Sequence, residues 1–180
     1  MKATGIVRRI DDLGRVVIPK GIRRTMRIRE GDSLEIYTDS DGQVVFKKYS
    51  PIGEMGHLAA QYADTLSRAA GRPVLIADRD RVIAAAGCPK REVIDRELTA
   101  AMEENLTARR RFLKETGTGI LRPLEGNDAE AVAMEPILAA GDVVGAVMLM
   151  TTAERRRLTE CDAKLAQVAA TLLGKQLEEN

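Results

Sequence analysis

Two short runs near the N-terminus, GIVRRI at 5–10 and RVVI at 15–18, most constrain how this chain can fold, because each is apolar on both faces. Successive side chains of a strand point to opposite faces. Ile6 and Ile10 share one parity and Val7 takes the other; Val17 has one parity and Val16 and Ile18 the other. A strand buried on both faces needs a layer over each. The head that carries these runs is about fifty residues, a size that rarely closes a stable core without a metal, a disulfide or a second copy. It contains neither cysteine nor histidine. One copy cannot supply both layers, so the head is expected to be half of an obligate, interleaved dimer.

Turn chemistry orders the rest of the head. Residues 3–10 read as a strand, DDLG as a turn in which Asp bonds locally and Gly14 tolerates positive φ, and 15–18 as a second strand. Pro19 cannot donate a ladder hydrogen bond; it ends that strand and opens a short helix over 20–27. Residues 33–38 and 43–48 flank DSDG, a strong hairpin signal. The head is assigned to 1–50. Residues 49–53, YSPIG, contain the breakers expected of a linker, placed at 51–53.

Composition changes at 54, where a second domain is expected to run to 180. Apolar residues at helical spacing predict a helix over 54–70, stopped by Gly71-Arg72-Pro73. Hairpins are predicted at 74–77 with 82–86 and at 131–139 with 143–150. A second helix is predicted over 92–106, a loop with a short strand over 117–126, and a long helix from about 159 to 178. This order gives an α+β domain with an antiparallel sheet flanked by helices. On the last helix Cys161, Leu165, Val168 and Leu172 follow heptad spacing, and Ala169, Leu173 and Leu177 widen the stripe. The stripe is wide enough to cover the chain's own sheet and to pack on a partner's helix.

Charge is unevenly placed. The whole chain is +1, yet residues 1–29 carry Lys2, Arg8, Arg9, Arg15, Lys20, Arg23, Arg24, Arg27 and Arg29 against only Asp11 and Asp12. A basic head on an acidic body points to an anionic partner for the head, nucleic acid first. Solvated surface charge, or arginines that pair with Asp11, Asp12, Glu30 or Asp32 and only hold the fold, is the plainer alternative.

Catalysis finds little support. His57 is the one histidine, so no Ser/His/Asp or Cys/His set forms without it. Cys88 and Cys161 are too far apart in sequence for a zinc spacing and read as free thiols of a reducing compartment. GTGILR at 117–122 lacks the third glycine of a dinucleotide fingerprint. No metal or cofactor is expected. With no leader-like N-terminus and no apolar run long enough to span a bilayer, a cytoplasmic location is expected.

TGIVRRIDDLGRVVIP at 4–19, IRRTMRI at 22–28 and GDSLEIY at 31–37 closely resemble the AbrB-type swapped-hairpin DNA-binding domain of bacterial transition-state regulators. The resemblance implies a β-barrel built by interlocking hairpins from two chains. It further implies that Arg8, Arg15, Arg23 and Arg24 contact double-stranded DNA, with Arg9 and Lys20 beside them. Past KKYSPI at 47–52, VLIADRDRVIAAAG at 74–87 and PILAAGDVVGAVM at 136–148 resemble the GAF-fold domain that follows such a head in regulators of spore development. That family implies activation of some sporulation genes and repression of others, in the forespore nucleoid. It also implies a homotetramer in which helices of the second domain join two head dimers. GAF folds often hold a small molecule beneath mobile loops, here 87–91 and 107–127, so an effector and a pure assembly role both stand as expectations. Antitoxins share the head, which makes a protein-interaction module the alternative function. They normally carry a disordered tail, whereas a folded domain follows here.

Overall fold

The computed structural model describes residues 4–115, 119–154 and 157–179, and divides into two compact units, 1–49 and 50–180. In the first unit Pro19 opens helix α1 (Lys20–Thr25), which ends when Arg27 takes a left-handed φ of 51°. Strands β1 (Leu34–Thr38) and β2 (Val44–Lys48) form an antiparallel hairpin that pairs Leu34 with Lys48 and Thr38 with Val44. One Asp39 carboxylate oxygen accepts the N–H of Asp41 and of Gln43, and Gly42 supplies the positive φ the turn needs.

The expected strands at 3–10 and 15–18 do not form a ladder within the chain; residue 3 lies outside the described residues. Among the described residues neither run has a partner strand in its own chain, and a strand is defined by its partner. Among the described residues of this unit none is buried. Val7 is 85% exposed and Leu13 and Val17 each 70%, and Ile6, Ile10, Val16, Ile36 and Phe46 also face solvent.

The second unit has its own core. Its sheet has the order β4-β3-β7-β6-β5, antiparallel throughout, with β3 Val74–Ala77, β4 Val82–Ala86, β5 Phe112–Leu113, β6 Ala131–Ala139 and β7 Asp142–Met150. Helices α3 (Gly56–Ala70) and α6 (Glu160–Glu179) cover one face through Ala59, Ala63, Leu66, Ala166, Ala170 and Leu173. The other face is covered by Val93 of α4 (Lys90–Val93), by Met102 and Leu106 of α5 (Ala100–Thr107), and by Leu98, Leu121 and Leu124 from loops. The α+β class and the antiparallel sheet flanked by helices are as expected.

Three local expectations are corrected. Residues 51–53 are not a linker: Pro51–Glu54 is a helical turn, α2, capped by Ser50, and Ile52 is fully buried in the α3/α6 core. The helix expected over 92–106 is two helices, parted where Asp95 takes φ 61° and Thr99 caps α5 through the Met102 N–H. The strand expected within 117–126 is only an isolated bridge from Leu98 to Leu124, while β5 lies earlier, at 112–113; residues 117 and 118 of that segment fall outside the described residues.

Candidate nucleic-acid interface

The turn between the two apolar runs is closed by its aspartate. Asp11 Oδ1 accepts the N–H of Leu13 at 3.0 Å and of Arg15 at 2.8 Å, and the Asp11 N–H donates to the Arg15 carbonyl at 3.0 Å. Gly14 completes the loop at φ 74°. The Arg15 backbone N–H, with its guanidinium and the Leu13 N–H, holds the Asp11 carboxyl below its ordinary range. The Arg15 guanidinium also reaches Asp11 Oδ2 at 2.8 Å, yet its side chain stays 68% exposed. Arg15 therefore makes the fold-holding pair weighed above and still offers its remaining donors to solvent.

Arg23 and Arg24 sit in the last turn of α1, where cations suit the negative end of the helix dipole, and Lys20 begins that helix. Arg8, Arg9, Arg15, Lys20, Arg23 and Arg24 are all exposed. Asp32 is taken by other groups: it accepts the Arg29 N–H and pairs with Lys48 Nζ at 3.0 Å. Lys48 also donates to the Arg27 carbonyl, so β2 is tied to the loop after α1. That brace was unread in the sequence, because Lys48 lies in the strand run and nothing local pairs it with Asp32.

In the second unit His57 is exposed at the start of α3. Burial, aided by Glu92, pushes the Cys88 thiol up, which disfavours a reactive thiolate. Cys161 is exposed on α6. No group of three or more His, Cys, Asp or Glu among the described residues is placed to hold a metal, and no helix among them is long and apolar enough to cross a membrane. The loop-covered face of the sheet is filled largely by Met102, Met134, Met148 and Met150 with Leu98, Leu121 and Leu124.

A family model described as stage V sporulation protein T C-terminal, transcription factor, matches residues 54–178. A second, described as antidote-toxin recognition MazE, bacterial antitoxin, matches residues 7–53. The chain is 45% identical to stage V sporulation protein T of Bacillus subtilis (strain 168) over 181 residues, covering 99% of this chain and 100% of that one. It is 49% identical over 75 residues to the transition state regulatory protein AbrB of the same organism, covering 42% of this chain and 77% of that one. Among solved structures, the GAF domain of PixJ from Thermosynechococcus elongatus aligns with a TM-score of 0.53 at 15% identity, over 73% of this chain and 89% of that one. That last likeness is one of fold: the second unit is GAF-like.

Proposed function

The chain belongs to the stage V sporulation protein T family, and from that premise we propose a transcription regulator of sporulation genes whose paired heads grip double-stranded DNA through Arg8, Arg9, Arg15, Lys20, Arg23 and Arg24. One observation carries the reading: six exposed basic side chains stand on a unit that buries none of its described residues by itself. Exposed apolar runs on such a unit are the core of a dimer, and dimerisation doubles the cationic set. The guanidinium fork suits phosphate oxygens and guanine edges. At six residues α1 is too short to lie along a major groove as a reading helix. Backbone contacts and DNA shape therefore dominate, and sequence preference is loose. The regulator activates some targets and represses others, works in the cytoplasm on the forespore nucleoid, and has no catalytic role.

The second unit joins two head dimers into a tetramer through α6. A small-molecule effector would enter on the loop-covered face, where unbranched methionines repack more readily than branched residues. The antitoxin model's match to residues 7–53 favours a second reading, a head that binds a protein partner. Against it, a folded unit directly follows the head, where a toxin-wrapping module normally carries a disordered tail.

A salt titration of duplex binding by the full chain tests the reading. If six to eight phosphates are neutralised, log K falls against log salt with a slope of about −0.9 per phosphate. A nearly flat titration would overturn it.

A further inference from the structure

The chain enters its second unit at Ser50, one residue after its last bond to the head. Tyr49, next after β2, donates its N–H to the Ser33 carbonyl inside the head. Its neighbour Ser50 donates its hydroxyl to Asp78 Oδ2 at 3.1 Å and accepts the Gly53 N–H that starts α2. Asp78 is buried at the root of the β3–β4 turn, 7% exposed. Its other oxygen accepts the N–H of Asp80 at 2.7 Å and of Arg81 at 2.8 Å. The carboxylate thus holds the turn with one oxygen and the incoming chain with the other.

The far side of that turn is bonded to the loops over the methionine-rich face. Leu98 N–H donates to the Asp80 carbonyl at 2.8 Å, Val82 N–H to Arg96 at 3.0 Å, and Asp95 N–H to Val82 at 2.9 Å. The 95–99 segment is bonded onward: Thr99 N–H donates to Pro123 and Glu125 N–H to Glu97. Leu98 and Leu124 are buried side by side in that face. Asp95 holds a left-handed φ, uncommon outside glycine though one that aspartate tolerates. Behind the turn β7 is pressed tight, since a Cβ on Gly145 would fall 2.2 Å from the Ala77 carbonyl oxygen and 3.3 Å from Asp78 Cα. The turn is thus backed by a closely apposed strand.

We propose that the Asp78 turn is the relay between the loop-covered face of the second unit and the DNA-binding head, with the Ser50–Asp78 hydrogen bond as its coupling element. The inference rests on the DNA-binding reading above and adds the route of regulation. The state of segments 95–99 and 121–125 sets the position of Ser50, and so the anchoring of the strand pair that precedes it. Coupling of this kind is reciprocal: DNA bound at the head must alter those segments as they alter the head.

That reciprocity gives a test needing no effector. Backbone hydrogen exchange is measured on the full chain, free and saturated with double-stranded DNA. The wild type is expected to show exchange slowed or quickened by about fivefold or more at 80–82 and 95–98 on binding. Ser50→Thr, which keeps the hydroxyl, preserves that response. Ser50→Ala and Ser50→Asp confine it to the head while DNA still binds. Ser50→Asp separates the two roles of Ser50, because aspartate still caps α2 but cannot donate to Asp78. A wild-type response limited to residues 4–49, or a full response in Ser50→Asp, overturns the relay. Absence of duplex binding overturns the DNA reading itself, and the relay with it.

Discussion

Arg72 and Asp162 form a buried ion pair, Nη2 to Oδ2 at 3.1 Å, with side chains only 1% and 2% exposed. Asp162 also accepts the Thr159 N–H and donates its own N–H to Thr159 Oγ1, so the same residue starts α6. Arg72 further donates to the Arg157 carbonyl. The pair pins the long helix to the corner between α3 and β3. Removing one partner leaves the other charge buried alone, so Arg72→Met and Asp162→Ala should each lower stability by about 3–5 kcal/mol, read as a shifted urea midpoint.

The pair also sets an acid response. Burial raises the Asp162 carboxyl, but bonds from Thr159 and Arg72 outweigh it and hold the group below its ordinary range. A carboxyl depressed in the fold contributes stability that is present above its unfolded value, about 3.9, and lost as pH falls through the folded value. The stability gap between wild type and Asp162→Ala should be constant near neutrality and close at strongly acidic pH. A gap that stays constant down to acid unfolding would contradict this.

Glu135 has the opposite sign. It is 7% exposed on β6, its Oε1 accepts no hydrogen bond, and the Arg111 guanidinium stands 3.7 Å away and half exposed. Burial pushes its carboxyl up, with Arg111 opposing. A raised carboxyl favours the fold only while protonated, and that contribution is lost as pH rises through the folded value. Glu135→Gln should therefore match wild type in acid and exceed it at neutral pH by about 1 kcal/mol. Thermal melts across that range check the crossover.

Two helical glycines should answer alanine in opposite directions. A Cβ on Gly174 would lie 2.0 Å from the Leu138 carbonyl oxygen of β6, so Gly174→Ala must lift α6 off the sheet. The cost is expected at about 1–3 kcal/mol or more, the range of overpacked cores. At Gly56, the first residue of α3, a Cβ meets nothing within 4 Å, and alanine there should stabilise by up to about 1 kcal/mol.

These contrasts show which parts of the molecule the sequence can express. Local chemistry was legible: Pro19 opens α1, Asp39 and Gly42 close a hairpin, and Ala140-Gly141 turns β6 into β7. Features that depend on distant groups were not. The apolar spacing of 92–106 looked continuous, yet the backbone of Asp95 and Arg96 is committed to Val82, and Leu98 to Asp80 and Leu124. Ser50-Pro51 carries breaker residues, yet buried Ile52 makes the segment part of the core. Arg72 read as a helix stop between Gly71 and Pro73, with no sign that its partner lay ninety positions on. Arg8, Arg15, Arg23 and Arg24 were named by motif and Arg9 and Lys20 as their neighbours, and the fold adds that Arg15 already shares itself with Asp11.

If the head contacts DNA as proposed, that sharing makes the arginines unequal. Arg15 would have to keep or trade its bond to Asp11 at a phosphate, whereas Arg23 and Arg24 would leave a helix end. Each alanine substitution should weaken binding and flatten the salt slope by about 0.9 for every phosphate left without its cation. Arg23→Ala and Arg24→Ala should each change head stability by no more than about 1 kcal/mol, while Arg15→Ala also loosens the 11–15 turn. Fluorescence anisotropy at several salt concentrations separates slope from intercept. Unchanged binding after all four of Arg8, Arg15, Arg23 and Arg24 are replaced would overturn the assignment.

The outer face of α6 is where the proposed tetramer would be joined. The helix turns Asp162, Ala166, Ala169, Ala170, Leu173 and Gly174 toward its own unit. Cys161, half-buried Leu165, Val168 and Leu172 fall along a second line, with Val168 55% and Leu172 45% exposed. Of that second line Leu165 still packs against the chain's own core, while Val168 and Leu172 are left largely in solvent. If the second joins head dimers into a tetramer, Val168→Lys with Leu172→Lys should halve the native mass. Stability of the separated unit should change little, by about 0.5 kcal/mol for each exposed site. Duplex binding by one head pair should persist, while the gain from two linked pairs on a long duplex, commonly about a hundredfold or more, should vanish. A native mass unmoved by both lysines would place the tetramer interface elsewhere.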